Sequence, residues 1–354
     1  MDPILLSHIK KINGPILVTG HTGFKGTWLT MLLEQFGIEV TGLSLQPEPE
    51  SLYSRSSRLG KINEAFIDVR DSDAIFKFIE GHKPKIIIHL AAQPLVLDSY
   101  KDPKYSFDVN VNGTVNILDA AFKVRSTEVV LVSTTDKVYE NNGSNKSFSE
   151  KDPLKGKDPY SASKVAVENV IFAWREIKKL NGGPRLLTVR SGNVIGGGDF
   201  SNDRLIPDLI RSFTSNSEMQ VRNPNSTRPW QHVLDPLFGY MSMIDKSLKG
   251  NDTEILNFGP NGKSLTVKEV VRIASDQWEC KNKIKFHSER GQTEAITLKL
   301  DSKKAKKVLN WKPRWSQEEA IIETINWWSD VLSKKYTANE RCSYDINKLF
   351  HSAQ

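Results

Sequence analysis

The fold of this 354-residue chain is decided by one stretch near its start, Ile16-Leu17-Val18-Thr19-Gly20-His21-Thr22-Gly23-Phe24-Lys25-Gly26. An apolar run leads into three glycines spaced Gly20-x-x-Gly23-x-x-Gly26, and apolar residues at helical spacing follow over 27–36. This pattern predicts a buried strand, a tight turn and a helix. The first glycine allows the turn, the second lets backbone amides approach a pyrophosphate, and the third lets the helix pack on the strand. Because a helix N-terminus also attracts anions, the stretch predicts a dinucleotide cradle.

Further along the chain, short β-branched runs alternate with helical stretches. The predicted strands cover 15–19, 39–44, 86–90 and 128–133. Such alternation is typical of parallel sheets with right-handed crossovers, in which ligands bind at the carboxyl ends of the strands. We therefore expect an α/β fold, divided as follows: a Rossmann-type doubly wound parallel sheet over 12–190, to which some later segments return; a smaller, mostly helical substrate-binding region over 191–333; and a polar C-terminal tail, frayed or used in assembly, over 334–354.

The composition is that of an ordinary globular protein, with 38% hydrophobic and 26% charged residues. No apolar run reaches the length of a membrane helix, and residues 1–11 lack the segments of a secretory signal, so we expect no membrane association. The two cysteines, Cys280 and Cys342, match no zinc spacing, which favours a reducing cytoplasm and no metal. The net charge of +7 comes from basic residues interleaved with acids, which favours a solvated surface over nucleic-acid binding.

A second informative feature follows the fourth predicted strand. Tyr160 and Lys164 are four residues apart, so on a helix they share one face. A nearby ammonium stabilises a phenolate, which would let Tyr160 act as a base near neutral pH, with Thr135 hydrogen-bonded to the same substrate hydroxyl. Directly after Thr135 stand Asp136 and Lys137. An acid–base pair at this place suggests elimination of water, and the alternative is a local ion pair without a chemical role.

The glycine spacing resembles that of the short-chain dehydrogenase/reductase superfamily, extended branch, and other segments match in the same order along the chain. Asp68-Val69 looks like the acidic loop that meets the adenine, Leu90-Ala91-Ala92-Gln93 like the strand end along the cofactor, and Asn110 like part of the helix that buttresses the site. The resemblance implies the following cofactor-binding residues: Gly20, Thr22, Gly23, Phe24, Lys25, Gly26, Asp68, Val69, Leu90, Ala91, Ala92, Gln93, Asn110, Tyr160 and Lys164.

The nature of the cofactor is less sharply indicated. NAD-preferring enzymes usually place an acid at the end of the second strand, where it bonds the ribose 2′-hydroxyl. Here that position reads Leu43-Ser44-Leu45-Gln46, with no acid and no adjacent arginine for a 2′-phosphate. The sequence favours NAD and leaves NADP open.

The Asp136-Lys137 pair resembles that of the CDP-glucose 4,6-dehydratases, whereas other nucleotide-sugar 4,6-dehydratases generally carry Asp-Glu there. The match covers about residues 14–330 and implies conversion of CDP-glucose to a 4-keto-6-deoxy sugar, for deoxy-sugar and surface-polysaccharide synthesis. In the implied mechanism Tyr160 takes the proton of the C4 hydroxyl and NAD takes the C4 hydride. Asp136 then protonates the departing C6 hydroxyl while Lys137 removes the C5 proton. As a base Lys137 must be neutral, although a lysine normally titrates near pH 10.4.

The same resemblance implies a set of substrate contacts: Gln93, Asn193, Arg204, Arg228 and Glu294. Relatives often carry His before the last of these residues, where this chain has Thr293. Each arginine has a second interpretation as a surface charge. We expect His232 to be a buried structural histidine, and Trp230 and Trp315 to belong to the core.

Several other functions stay open at this point. A dehydratase for another nucleobase and a nucleotide-sugar 4-epimerase are the enzyme alternatives, and Asp136-Lys137 argues against the epimerase. A cofactor-binding regulator without chemistry is the non-enzyme alternative, against which the intact Thr135, Tyr160 and Lys164 argue. Relatives assemble through paired helices around the one that carries the tyrosine, which implies a homodimer or homotetramer.

Overall fold

The computed structural model describes residues 6–143, 146–251, 253–279, 284–287 and 297–351. The strands in these parts of the chain are β1 (Ile16–Thr19), β2 (Val40–Ser44), β3 (Asn63–Phe66), β4 (Ile86–His89), β5 (Val129–Ser133), β6 (Arg185–Ser191), β7 (Val194–Ile195), β8 (Met219–Arg222), β9 (Thr227–Arg228), β10 (Gln231–His232), β11 (Ile255–Phe258), β12 (Leu265–Thr266) and β13 (Ile284–His287). The helices are α1 (Phe24–Gln35), α2 (Leu52–Arg55), α3 (Ser72–His82), α4 (Val96–Lys101), α5 (Pro103–Phe107), α6 (Gly113–Val124), α7 (Pro159–Asn181), α8 (Leu205–Ser215), α9 (Leu234–Leu248), α10 (Val267–Trp278), α11 (Lys303–Leu309), α12 (Gln317–Leu332) and α13 (Ala338–His351).

The central sheet has the spatial order β11–β6–β5–β4–β1–β2–β3, and its strands pair in parallel. The predicted doubly wound parallel sheet is thereby confirmed. The order reverses between β1 and β4, so the carboxyl ends of these strands flank the crevice in which such sheets bind ligands. The sheet also takes up β11 from the second half of the chain, with Asn257 opposite Arg190.

Side chains of the inner strands alternate between two hydrophobic cores, one on each face of the sheet. Ile16 and Val18 of β1 pack into the core that also contains Trp28 and Leu29 of α1. Leu17 between them faces the other core. That second core includes Ile117 of α6 and Ile171 of α7. Strands buried on both faces read as continuous apolar runs, which is why these segments could be recognised in the sequence.

The second half of the chain adds small elements at the carboxyl edge of the sheet. β8 pairs with β13 and β7 with β10, both in parallel, while β9 pairs antiparallel with β12. α10 packs against α12 and approaches α8. Among the described residues no helix is long and apolar enough to span a membrane.

The C-terminal segment was expected to be frayed or used in assembly, and the first alternative is wrong for residues Ala338–His351, which form a packed helix. α13 buries Cys342, Ile346 and Leu349, each at most 1% exposed. The stripe of apolar residues is narrow and lies among charged ones, so the overall composition of the segment does not predict that the helix packs against the core. Arg341, 2% exposed, makes salt bridges to its neighbours Glu323, Asp330 and Asp345, which compensates the charges buried beside that stripe.

Candidate active site

The glycine-rich turn connects β1 to α1 in the predicted manner. Gly20 has a φ of +72°, which favours glycine, and a Cβ there would lie 2.8 Å from the backbone nitrogen of Ala91. A Cβ on Gly26 would lie 2.1 Å from the carbonyl oxygen of Gly20. Gly23 is the N-cap of α1, and in the described residues no side chain caps it. The first-turn N–H groups therefore stay available to an anion.

The end of β2 carries hydroxyl groups at the position where NAD-preferring enzymes usually have an acid. The Thr22 Oγ1 atom lies 2.7 Å from Ser44 Oγ and donates to the Leu45 carbonyl at 3.1 Å. Nearby, the ring of Phe24 closes against Gly196. The ammonium of Lys25 comes near enough to Lys164 to lower the pKa of the latter.

The acidic loop lies beside a shallow surface pocket lined by Asp68, Arg70, Asp71, Asp108 and Asn112. The Arg70 side chain donates to the Asp68 carboxylate and holds its pKa below the usual range. Val69 is buried, and its carbonyl accepts a hydrogen bond from Asn116 at 2.9 Å. The side chains that line the pocket are thus polar or charged, with three carboxylates among them.

The end of β4 is fixed by hydrogen bonds to its neighbours. Leu90 and Ala91 donate their backbone N–H groups to Thr19, and the N–H of Gln93 donates to Asn110 Oδ1 at 2.9 Å. Ala92, between them, is half-buried. The Gln93 amide turns back onto the backbone of its own loop, donating to the Leu95 carbonyl.

A buried histidine, which the sequence analysis did not select, supports this strand end. His89 lies between Thr19 and Thr114, with its ring nitrogens 2.7 Å and 3.1 Å from their hydroxyl oxygens. Burial, and secondarily the charge of Lys164, lowers its pKa to about 3, so the ring is neutral. Its two threonine partners come from distant strands and helices, and no local sequence signal reveals them.

Tyr160 and Lys164 lie in the first two turns of α7. Asp158 caps this helix in a reciprocal pair with Ser161, and the Tyr160 N–H donates to Ser99 Oγ at 3.1 Å. The Lys164 ammonium donates to the Ser133 carbonyl at 3.3 Å, at the end of β5. Burial, and then the charge of Lys25, lowers the pKa of Lys164 to about 8.

The Asn110 side chain joins this helix to the cofactor-facing loop. Its amide nitrogen donates to Ser163 Oγ at 2.8 Å, and Ser163 in turn donates to the carbonyl of Tyr160. Asn110 lies within a π-helical segment, Asp108–Asn112, ahead of α6. Such segments frequently occur at functional sites.

The segment after β5 brings Thr135, Asp136 and Lys137 to the same place. Thr135 Oγ1 donates to Asp136 Oδ1 at 3.1 Å. Asp136 is fully buried, and its Oδ2 has no hydrogen-bond partner among the described residues. The Lys137 ammonium lies 3.5 Å from Asp136 Oδ1, and its side chain is 26% exposed.

Opposing influences act on the Tyr160 phenol. Burial raises its pKa above the ordinary value, and the charge of Asp136 also raises it, while the charge of Lys137, a hydrogen bond with Thr135 and the charge of Arg204 act in the opposite direction. We expected Lys164 to favour the phenolate and to bring Tyr160 near neutrality. In the structure the group that lowers the pKa of Tyr160 most is Lys137. The pKa is nevertheless raised overall, because the phenol is removed from water.

The predicted substrate residues are only partly brought together. Arg204, immediately before α8, bonds Asp199 at 2.9 Å and lies near enough to Tyr160 to influence its pKa. Arg228 on β9 is buried and donates to the Thr227 carbonyl. The buried Oδ1 of Asn193 has no partner within the described ranges. Glu294 lies outside the described residues.

His232, Trp230 and Trp315 are buried in the core of the protein. His232 is fully buried, burial lowers its pKa to about 3, and its Nδ1 accepts the Leu234 N–H. Its ring packs edge-on against Trp28 and Trp315, and Trp230 is also buried, in line with their expected core positions. No cluster of potential metal ligands occurs within the residues that the structure describes.

The parallel sheet, the glycine-rich turn and the grouping of Thr135, Tyr160 and Lys164 define a short-chain dehydrogenase/reductase of the extended branch. Within that class, the chain belongs to the GDP-mannose 4,6 dehydratase family, whose model matches residues 17–324. The resemblance to nucleotide-sugar 4,6-dehydratases is confirmed by this match and by the relatives that follow.

The relatives cover nearly the whole chain. The CDP-glucose 4,6-dehydratase of Salmonella typhimurium is 40% identical over 322 residues, which are 88% of this chain and 89% of that protein. The dTDP-D-glucose 4,6-dehydratase of Homo sapiens is 28% identical and covers 89% of this chain and 90% of its own. The solved dTDP-glucose 4,6-dehydratase DesIV of Streptomyces venezuelae, with NAD and TYD bound, has a TM-score of 0.79 at 21% identity and covers 90% of this chain and 98% of its own. At that identity the structural likeness shows the fold.

Proposed function

We propose that this chain is an NAD-dependent hydro-lyase, a CDP-glucose 4,6-dehydratase that converts CDP-glucose into CDP-4-keto-6-deoxyglucose and water. The observation that carries the proposal is the 40% identity to the Salmonella typhimurium enzyme over most of both chains. The position of Asp136 and Lys137 beside Thr135 and Tyr160 supports it. The product would serve deoxy-sugar synthesis, and the chain would act in the cytoplasm.

NAD is the proposed cofactor, and the turn after β1 fits it. The space that a Cβ on Gly20 or Gly26 would occupy is already taken by backbone, so chain and helix approach each other as a pyrophosphate cradle requires. Asp68 and Val69 would receive the adenine, while Lys164 would hold the nicotinamide ribose. No arginine stands adjacent to Leu43-Ser44-Leu45-Gln46 to pair with a 2′-phosphate, which favours NAD over NADP.

The first step would use Tyr160 and Thr135. Tyr160 would take the proton from the C4 hydroxyl while Thr135 holds that hydroxyl in place. NAD would supply a reversible hydride acceptor, so that the hydride leaves C4 and returns to C6. Because burial favours the neutral phenol, Lys137 and Arg204 would help Tyr160 to carry the negative charge from which it acts as a base.

The second step would use the Asp136–Lys137 pair. The C5 proton is acidified by the C4 ketone, and water leaves when the C6 hydroxyl is protonated. A carboxylic acid on Asp136 beside a neutral amine on Lys137 differs from the ion pair by the position of one proton. That single proton would prepare both the acid and the base. After elimination, Asp136 is a carboxylate and Lys137 an ammonium, which is the ion pair at 3.5 Å.

The substrate contacts are proposed with unequal support. Arg204 has the best placement, because it influences Tyr160 and is held by the buried Asp199. Asn193 offers a buried oxygen without a partner in the described chain. Gln93, Arg228 and Glu294 rest on the resemblance.

The test is incubation of the purified protein with CDP-glucose and NAD⁺, followed by the alkali-induced absorbance of a 4-keto-6-deoxy sugar. UDP-, dTDP- and GDP-sugars run in parallel, and NADP⁺ replaces NAD⁺ in a second series. Product from CDP-glucose alone supports both the reaction and the nucleobase. Product from another nucleotide alone moves the specificity, and an epimerised sugar without any keto product contradicts the elimination.

A homodimer or homotetramer is proposed for the assembly. Phe172 and Leu180 of α7 are 61% and 83% exposed, and Phe107 of α5 is 39% exposed. Large apolar side chains on the helix that carries Tyr160 suit a helix-to-helix contact with a second copy. Light scattering after size-exclusion chromatography should give at least twice the chain mass. Phe172→Asp should lower this measured mass towards that of a single chain.

A further inference from the structure

A buried ion pair lies directly beneath the candidate active site. Its members are Glu168 of α7 and Arg190 of β6, whose side chains are 6% and 3% exposed. Arg190 Nε donates to Glu168 Oε1 at 2.8 Å, and Nη2 donates to Oε2 at 3.0 Å. Two parallel hydrogen bonds between charged, planar groups fix both side chains in one geometry.

The two members of this pair hold opposite ends of one short segment, residues 134–139. At its start, Thr134 Oγ1 donates to Glu168 Oε1 at 2.7 Å. At its end, Arg190 Nη1 donates to the Tyr139 hydroxyl at 2.9 Å. That hydroxyl in turn donates to Asn257 at 2.7 Å. The segment held between these contacts carries Thr135, Asp136 and Lys137.

Glu168 also belongs to the helix of the other half of the site. It follows Tyr160 and Lys164 at intervals of four residues, so the three side chains share one face of α7. We propose that Glu168 and Arg190 are positioning residues: their ion pair sets the placement of residues 135–137 relative to Tyr160. The proposal rests on the proposed function and deepens it, because neither residue need touch the substrate for the pair to govern the reaction geometry.

Thr134 gives the sharpest test, because its hydroxyl joins the segment to Glu168 while the ion pair itself does not depend on it. Thr134→Val removes the hydroxyl at nearly constant shape, and Thr134→Ser retains it. The chain also offers a matched control. Thr188 of β6 is buried, and its hydroxyl accepts a hydrogen bond from Arg175 of α7 at 3.0 Å. Thr188→Val therefore removes a hydroxyl between the same helix and strand, away from residues 134–139.

We expect Thr134→Val to lower kcat about tenfold while KM changes less than about twofold, because misplaced reacting groups slow chemistry more than binding. Thr134→Ser and Thr188→Val should stay near the wild type in both constants. Hydrogen exchange of the amides of residues 135–139 should become faster in Thr134→Val alone. This second measurement needs no turnover.

The outcomes separate the two proposals. Equal kcat and equal exchange in Thr134→Val and Thr188→Val would overturn the positioning role, as would an equal loss in both, which would indicate a general loosening of α7. A loss of kcat that Thr134→Ser does not restore would also count against it. A wild type without product from any nucleotide sugar, combined with faster exchange in Thr134→Val alone, would contradict the proposed function and support the positioning role.

Discussion

Asp136 combines complete burial with a carboxylate oxygen that has no hydrogen-bond partner in the described part of the chain. An unsatisfied buried polar atom costs about 1–3 kcal/mol, so the position of this oxygen needs a physical explanation, which a catalytic role would supply. The second oxygen is held by Thr135. Thr135 thus orients the carboxylate through Oδ1, and Oδ2 is left to meet a reacting hydroxyl.

Asp136→Asn should therefore impair elimination more than oxidation. We expect kcat to fall about 100-fold or more, the usual range for loss of a general acid, while KM changes little. Reduced cofactor should accumulate during turnover, which its absorbance measures. Asp245→Asn is the control, because that carboxylate is also buried and bonds the backbone of His8 and Ile9. Normal turnover of Asp136→Asn would remove the acid role.

Lys164 gives the site a pH dependence. Its pKa is lowered from 10.5 to about 8 by burial and by Lys25, against the opposing charge of Glu168. The neutral His89 faces it from β4 and adds no charge. An amine is charged below its pKa, so the ammonium is lost as the pH rises through about 8.

We expect kcat/KM to decline above about pH 8 because Lys164 then loses its charge. Lys164→Arg keeps a positive charge at all accessible pH values. Its activity is expected to be lower, but the decline should move to higher pH or disappear. An unchanged alkaline limb in a profile of kcat/KM against pH would assign that limb to another group.

At the residue scale, the sequence revealed what is encoded locally. Tyr160 and Lys164 are one helical turn apart, and Thr135 to Lys137 follow a strand, so both groups could be selected from local spacing together with the family resemblance, and their chemical roles stay predictions. The contacts of His89 with Thr19 and Thr114, and those of Glu168 with Thr134 and Arg190, join distant parts of the chain. Spacing along one segment cannot predict such pairs.

At the scale of elements, the turn between β1 and α1 is the most constrained part of the candidate site. The first turn of α1 begins at Phe24, three residues before the predicted helix. The sequence predicted a turn for all three glycines of the motif, yet Gly26 already lies within α1. Its missing side chain allows the first turn to lie against Gly20, so the helix begins within the motif itself.

Gly26→Ala should reduce NAD affinity about 100-fold or more, because the new Cβ would meet the Gly20 carbonyl oxygen and displace the cradle. Gly81→Ala is a matched control in α3, since a Cβ there meets nothing within 4 Å and alanine favours helix. Titration calorimetry with NAD⁺ and thermal unfolding separate binding from stability. Equal NAD affinity in the two variants would argue against the proposed cradle.

At the scale of the whole molecule, α13 packs against the end of α1 and against α9, and the segment before α12 contacts α9. Phe350 of α13 packs edge-on against Phe36 and Phe238. Asp235 near the start of α9 accepts the Arg314 N–H at 2.7 Å. The sequence predicted the parallel sheet from its apolar strands, whereas these contacts join residues far apart along the chain, which composition does not reveal.

Asp235 should make the stability of the whole molecule depend on pH. Burial raises its pKa from 3.8 to about 7, even though the backbone of Arg314 and Trp315 acts in the opposite direction. Between these values the folded state binds a proton that the unfolded state has lost. The free energy of unfolding therefore falls as the pH rises from about 4 to about 7, by a few kcal/mol for this group alone.

Asp235→Asn removes the titration and should flatten that dependence. Thermal unfolding at pH 5 and at pH 7.5 is the measurement, and the difference between the two midpoints should shrink in the variant relative to the wild type. Asp208→Asn is the comparison variant. Burial also raises the pKa of Asp208, but its carboxylate is paired with Arg211 at the surface, so this variant should change the difference between the midpoints less than Asp235→Asn does. If Asp235→Asn keeps the wild-type difference, Asp235 is ionised in the folded protein, and water or a rearranged side chain must satisfy the oxygen that has no partner in the described residues.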